Sequence, residues 1–505
     1  MNLRPRLLPT NWNISEVIQA LFDHDVEKRY PIVSIVWLSL LYLAGLYFWG
    51  VFFNWRQTPL NYHDWKQINI PRLDVIRDAL VYGELPLHVI NEKFLHSITD
   101  RFFAMPDVIT TPQQIVLYWI EVDTFAVFDL LMEFTIGAIG LYLFKRKYNL
   151  SLIAFSIMYF LVSFNGYIQS HYSVGHITWG GYFLFPTLIL LITDFIDGKQ
   201  NWLWVAKVAL LMFYMVLIGS QHHFVWSLLF LGSLGIVAWK NIRWIIGAGF
   251  FAGMLSAVRL LPPLLVFSAI KSSEAFRFRT GFPGIQAVLS SLMFVRPFDY
   301  HFPNLANIWV ANTHYWEFNI YVGLAGTLIL IWFGMITWVA DLRWKKRFSQ
   351  LMLPTLLVIL LSLGENYKQI GLTNIPLFAT ERVTSRLIGL PLVVVIMIST
   401  FFLDEWLQGK PSSLRYLLSG FGLFFVGKDL FFHLKFWGVQ TVSSALIRGK
   451  DRILEGNSIS NHSDPAYVTI LMIGLALTLI FSLLLLALVY RERYPRVKTV
   501  VLSDG

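Results

Sequence analysis

Asn61-Tyr62-His63-Asp64-Trp65 brings a carboxylate, an imidazole and three aromatic or polar neighbours together just past the first apolar run. A carboxylate held there could take the proton from an acceptor hydroxyl during transfer of a glycosyl group. Asp64 is therefore the candidate general base. Arginine is the natural partner of a phosphate, because its planar fork binds two oxygens at once. Arg259 sits inside an apolar run, in Ser256-Ala257-Val258-Arg259-Leu260-Leu261-Pro262-Pro263. Arg382 and Arg386 flank a later run in Glu381-Arg382-Val383-Thr384-Ser385-Arg386. Arg277 and Arg279 lie in a polar loop and read as mobile. His222-His223 follows Gly219-Ser220-Gln221 in a very short turn, and His171 and His176 lie in another. Imidazoles can ligate a metal. No His-x-x-x-His or carboxylate-rich motif backs that chemistry here, so interfacial histidine is the simpler reading and no metal or other cofactor is expected. There is no phosphate-binding glycine loop, no nucleophile elbow and no cysteine.

These residues need a scaffold, and composition says which kind. The chain has 505 residues, 56% hydrophobic and only 14% charged, against about 25% charged in soluble domains. So much apolar residue implies an all-α polytopic membrane protein. Counting about 20 apolar residues per crossing predicts twelve spans: 31–53, 122–144, 151–167, 178–196, 203–219, 224–239, 243–267, 320–340, 351–363, 385–403, 414–432 and 467–490. Residues 1–30 form a polar N-terminal segment rather than a cleavable signal peptide, with a short interfacial helix expected near 12–24. The membrane core covers 31–403. Residues 404–505 add the last spans and a basic tail.

Orientation comes from the short loops. Lys145-Arg146-Lys147, Lys199, Lys240 with Arg243, Arg343 to Arg347, and Arg491 to Lys498 fall on one side, which is predicted cytoplasmic together with both termini. The net charge of +9 reflects this bias and not a nucleic-acid partner. The other side receives the long loops 54–121, 268–319, 364–384 and 433–466, and eleven of the twelve histidines. An active site on the outer face is expected from that asymmetry. Within the first outer loop, Ile70-Pro71-Arg72 starts a helix over Leu73 to Tyr82, which Gly83 ends. Leu73, Ile76, Leu80 and Val81 form its apolar face, opposite Arg72, Asp74, Arg77 and Asp78. A second short helix is expected within Pro86 to Thr99.

Four stretches, in order, resemble the GT-C type of integral membrane glycosyltransferase, and more closely its YfhO-type bacterial branch. They are Asp64 with Pro71 and Gly83-Glu84-Leu85-Pro86-Leu87; Gly175-His176-Ile177-Thr178-Trp179 with Pro186; Leu261-Pro262-Pro263 with Ser268 and Arg277; and Tyr321-Val322-Gly323-Leu324-Ala325-Gly326 with Arg382 to Arg386. The resemblance covers about residues 31–403. It implies transfer of a sugar from a polyprenyl-phosphate carrier to a lipid, glycan or protein acceptor, at the outer face of a bacterial plasma membrane. It makes Asp64 the base and gives Arg259, Arg382 and Arg386, with His176 and His222, to the carrier phosphate. The family's familiar members follow the first carboxylate with a second. Here Trp65 follows Asp64, which argues against a metal-dependent variant.

Two rival readings differ in what they require. An O-antigen ligase or polymerase also uses outer arginine and histidine, but its large outer loop comes late in the chain, whereas here the first loop is the longest. A transporter or flippase of lipid-linked sugar favours inverted repeats and midplane charges. No repeat is visible.

Overall fold

The computed structural model describes residues 14–90, 99–268, 281–294, 315–340, 342–364, 366–375, 378, 381–446 and 458–494. It is about 80% helical. Among the described residues, eight helices are long and apolar enough to cross a membrane: Pro31–Phe52, Val122–Tyr148, Leu152–Ser173, Ile177–Ile196, Tyr315–Ala340, Thr384–Gln408, Ser412–Leu446 and Pro465–Arg493. Gln221–Val237 and Trp239–Leu255 form a pair bent by 113°, and Trp202–Leu217, Ala257–Val266 and Phe348–Leu361 are shorter apolar helices. Each of the twelve expected spans therefore falls on helix, while eight reach membrane length unaided. The chain is an all-α, multi-pass membrane protein.

Burial separates the helices. Leu152–Ser173 and Thr384–Gln408 are almost wholly enclosed by their neighbours, whereas Pro465–Arg493 leaves most of its side chains outside. A helix apolar all round is what a lipid-facing or enclosed position requires. The enclosed pair forms the centre on which the candidate residues are mounted.

After the first span, Asn54, Trp55 and Arg56 take left-handed backbone (φ 47°, 50° and 64°) and turn the chain. The expected loop helix is present as Ile70–Tyr82, with Pro71 in its first turn, and it ends at Gly83 in left-handed conformation (φ 68°). Two details differ from the expected faces. Arg72 is buried and paired with Asp107 at 2.6 Å, and Val81 is exposed. The neutralised guanidinium satisfies the packed side that periodicity assigned to apolar residues alone. The expected second helix also differs. Its first half is β1 (Val89–Ile90), which pairs antiparallel with β2 (Ser458–Ile459), and residues 91–98 lie outside the described residues. Local pattern cannot see a partner strand that arrives from the far end of the chain. The helix expected near 12–24 appears as Ile14–Leu21. Arg277, Arg279, His96, His301 and His314 fall outside the described residues.

Candidate functional site

The site is built around one tight turn. Asn165 caps the helix Gly166–Ser173 by accepting from the Tyr167 and Ile168 amides at 3.1 and 3.4 Å. The chain then reverses at Gly175 (φ 97°), and the His176 amide closes back onto the His171 carbonyl at 3.0 Å. That closure sets the two imidazoles side by side, Nδ1 to Nδ1 at 2.7 Å.

The first loop docks onto this turn through four consecutive contacts. Tyr62 donates its hydroxyl to the Ser173 carbonyl at 2.7 Å, and His63 Nδ1 meets the Val174 carbonyl at 3.1 Å. Asn69 Nδ2 donates to the Gly175 carbonyl and also to that of Asp64 at 3.2 Å. Asp64 Oδ2 lies 3.2 Å from His176 Nε2, and Asp64 Oδ1 lies 3.3 Å from His63 Nδ1. Gly175 is required here, because a Cβ would sit 2.3 Å from the Trp65 backbone nitrogen.

Trp179 is the hub of what surrounds Asp64. Its ring stacks on His171 at 4.5 Å and lies 4.9 Å from His176, 5.7 Å from His222 and 5.5 Å from His223. The Arg386 guanidinium lies over the same ring at 4.9 Å, a cation–π geometry. Arg386 enters from the 3₁₀ turn Thr384–Ile388 and forks onto Glu317, Nε donating at 2.6 Å and Nη2 to the second oxygen. Glu317 sits in a 3₁₀ turn at the head of Tyr315–Ala340, and both partners are buried. His222 Nδ1 meets Glu381 Oε1 at 2.6 Å. The turn Gly219–Ser220 is held against Trp179's own helix, as Ser220 donates to the Thr178 carbonyl and accepts from the Gly181 amide.

The electrostatics are mixed rather than simply basic. Burial pushes the His176 imidazole below its ordinary range, against the pull of the Asp64 hydrogen bond. Neutral His176 then donates Nε2–H to Asp64, so its Nδ1 accepts and His171 Nδ1 donates. The result is a short relay from His171 through His176 to Asp64. Arg382 is half-buried; desolvation lowers its guanidinium, Arg386 adds to that, and Glu317 and Asp64 oppose it. The Asp64 side chain keeps 21% exposure, so the carboxylate is reachable while His176 is 9% exposed.

Of the expected site residues, Asp64, His176, His222, Arg382 and Arg386 therefore converge, mostly by way of Trp179. Arg259 does not join them. Its Nη1 donates to the Phe103 carbonyl at 2.8 Å and its Nη2 to those of Met105 and Val108 at 3.0 Å, which fastens the first loop to the bundle. A guanidinium spent on three carbonyls is a structural clamp. Glu317 and Trp179 emerge as members of the site. A carboxylate at the mouth of an apolar run is the one sequence signal that could have pointed to Glu317.

Fold and site together define a multi-pass helical membrane protein with a buried histidine–arginine–carboxylate cluster at one end of the bundle. No family model, curated protein or solved structure matches the chain.

Proposed function

We propose that the chain is a GT-C type membrane glycosyltransferase, moving a sugar from a polyprenyl-phosphate carrier to a lipid, glycan or protein acceptor at the outer face of a bacterial plasma membrane. In this reading the chain crosses twelve times with both termini cytoplasmic. Trp202–Leu217, Phe348–Leu361 and the two limbs of the bent pair, the second continuing through Ala257–Val266, add to the eight long helices.

The observation that carries the reading is the convergence of a reachable carboxylate, Asp64, with the arginines Arg382 and Arg386. Asp64 takes the acceptor's hydroxyl proton while that oxygen bonds to the anomeric carbon. The bond from that carbon to the phosphate oxygen breaks, and polyprenyl phosphate leaves against the arginines. Arg386 keeps Nε and Nη2 on Glu317 and has Nη1 for the anion. His176 holds the carboxylate by Nε2–H. An apolar cavity supports a lipid-linked donor, since Ile388, Leu392 and Val395 of the Arg386 helix face Trp338, Met352 and Leu356 across it.

The test is transfer by Asp64→Asn against Asp74→Asn and Asp78→Asn in folded protein. Removing a general base costs about a hundredfold to ten-thousandfold in rate. The controls, on the loop helix, should stay near the parent. Near-normal transfer by Asp64→Asn would end the assignment.

One observation favours the transport reading instead. Asp129 and Glu133, one helical turn apart and fully buried inside Val122–Tyr148, share the side-chain amide of Gln113 (2.9 and 3.4 Å), and Glu133 accepts from Tyr214 at 2.8 Å. Intramembrane carboxylates often mark proton or ion paths. Loss of lipid-linked sugar movement in Asp129→Asn and Glu133→Gln, with Asp64→Asn unaffected, would favour that reading.

A further inference from the structure

A second cluster lies where the first loop meets the entrance to the last helix, and it is independent of the proposed transfer. β1 and β2 are joined here by a dense set of contacts. The Leu87 and His88 amides donate to Asn461 Oδ1 at 2.9 and 3.0 Å, and Asn461 Nδ2 donates to Glu84 Oε1 and the Leu85 carbonyl, both at 2.9 Å. The Ser460 amide donates to the His88 carbonyl at 2.9 Å. The His88 and His462 rings lie with centres 3.9 Å apart, tilted by 31°, and His462 Nε2 lies 2.7 Å from Asp100 Oδ2. One ligating atom each from His88, Asp100 and His462 all fall within 4.8 Å of one another.

Three features go beyond a loop packing contact. The His88 side chain is fully buried, and its Nδ1 has no hydrogen-bond partner among the described residues. Its Nε2 faces Asp464 Oδ2 at 3.4 Å, the arrangement in which a carboxylate orients a histidine and leaves the other nitrogen bare for a metal. Asp464 is itself fixed, taking Arg101 Nε at 2.6 Å and capping the Tyr467 amide at 3.2 Å. His462 Nδ1 is turned to the Ser463 carbonyl at 3.5 Å, which puts its Nε2 towards the Asp100 oxygen. Two lone-pair atoms that close must share either a proton or a cation.

We propose that His88, Asp100 and His462 form a divalent transition-metal site, best suited to zinc, that clamps the first loop to the last helix. Two imidazoles and one carboxylate, with a fourth position open to water, are an ordinary zinc donor set. Bonds of about 2.0–2.2 Å put tetrahedral ligand atoms roughly 3.3–3.5 Å apart. Asp100 Oδ2 and His462 Nε2, now 2.7 Å apart, must therefore open by roughly 0.6–0.8 Å, while the set, now within 4.8 Å, draws in towards His88. Both side chains are about half exposed, so that movement meets little packing. Asp100 and His462 are 362 residues apart, and the ion would tie them as a cross-link does.

The experiment uses the full chain, purified in detergent without a polyhistidine tag, stripped with chelator and titrated with zinc, magnesium or calcium chloride. One zinc per chain is expected, with a Kd of micromolar or tighter, and no comparable binding of magnesium or calcium. Asp100→Asn and His462→Gln should each weaken zinc at least tenfold, and His88→Gln should abolish it. Zinc should raise the melting temperature of the parent and not of the variants. Should His88→Gln fail to fold, the two surface variants decide alone. Absence of stoichiometric zinc, or full zinc binding by Asp100→Asn and His462→Gln, would overturn the site and leave a hydrogen-bonded His–Asp pair.

Discussion

The helix Thr384–Gln408 carries Arg386 at one end and Asp404 at the other, roughly 27 Å apart at 1.5 Å per residue. Each is buried and charged, yet the two ends are finished differently. Asp404 accepts from the Ser151 amide at 3.0 Å, from the Ser151 hydroxyl at 2.6 Å and from His24 Nε2 at 3.1 Å. Around it, Lys145 pairs with Glu27 at 2.9 Å, and Lys147 with Asp194 and Asp197 at 2.9 and 2.8 Å. Each of these charged groups has a partner there, and only the Arg415 Nε nearby is a buried charged donor without one among the described residues. At the Arg386 end, His171 Nε2 and both ring nitrogens of His223 are buried without a hydrogen-bond partner among the described residues. Buried polar atoms are normally satisfied, and exceptions cost about 1–3 kcal/mol each. One end of the helix is thus built for stability. The other keeps unused hydrogen-bonding capacity in a way that stability alone does not explain.

The sharpest way to break that contrast is at Arg386. Removing one partner of a buried ion pair costs about 3–5 kcal/mol, because the other charge is left uncompensated. Arg386→Ala should therefore lower the melting temperature by more than any single change at Lys145 or Lys147, whose partners Glu27, Asp194 and Asp197 are about one-third exposed. The double change Arg386→Met with Glu317→Met should recover much of the lost stability and should still fail to bind lipid phosphate. Equal melting shifts for Arg386→Ala and Lys147→Ala would remove the distinction between the ends.

A smaller effect is expected from the docking of the first loop. Gly175 and Gly83 both have positive φ, at 97° and 68°. A Cβ at Gly83 meets nothing within 4 Å, whereas at Gly175 it strikes the Trp65 and Asp64 backbone. Gly83→Ala should cost about 1 kcal/mol from backbone strain alone. Gly175→Ala should cost about 1–3 kcal/mol and also pull Asp64 from His176. The readout is thermal stability together with protease sensitivity of the first loop. Matching behaviour of the two variants would show that the loop is not seated on Gly175.

Much of this scaffold was legible in the sequence, because apolar runs, Pro71 and Gly83 act locally. Asp64, His176 and Arg386 were also marked in advance, since polar residues at the ends of apolar runs are few. What escaped depends on distant partners. Arg259 looked like a phosphate ligand until the carbonyls of Phe103, Met105 and Val108 took its donors. Val89–Ile90 read as part of a helix because its strand partner, Ser458–Ile459, arrives from near the other end of the chain. Glu317 stood at the mouth of an apolar run, but its place in the site showed only with Arg386 beside it.

The smallest effect is a difference in sign between two histidines. At the Asp404 end, the hydrogen bond to Asp404 raises the His24 imidazole above its ordinary value, aided by the charges of Asp404, Asp23 and Glu405 and opposed by burial. A raised group contributes stability that is complete below the unfolded value of about 6.5 and is lost as pH rises through the folded value. The His24 side chain is 41% exposed, so solvent screening limits the effect to a few tenths to about 1 kcal/mol. At the other end, burial lowers His176 despite Asp64. A lowered histidine acts oppositely, because its folded state binds fewer protons and stability falls as pH drops below about 6.5. Melting temperatures from pH 5.5 to 8.5 separate the two. His24→Gln should flatten the decline above pH 6.5, and His176→Gln should flatten the decline below it. If both variants flatten the same side, the two ends of the bundle do not handle their histidines differently, and the relay drawn from His171 through neutral His176 to Asp64 loses its support.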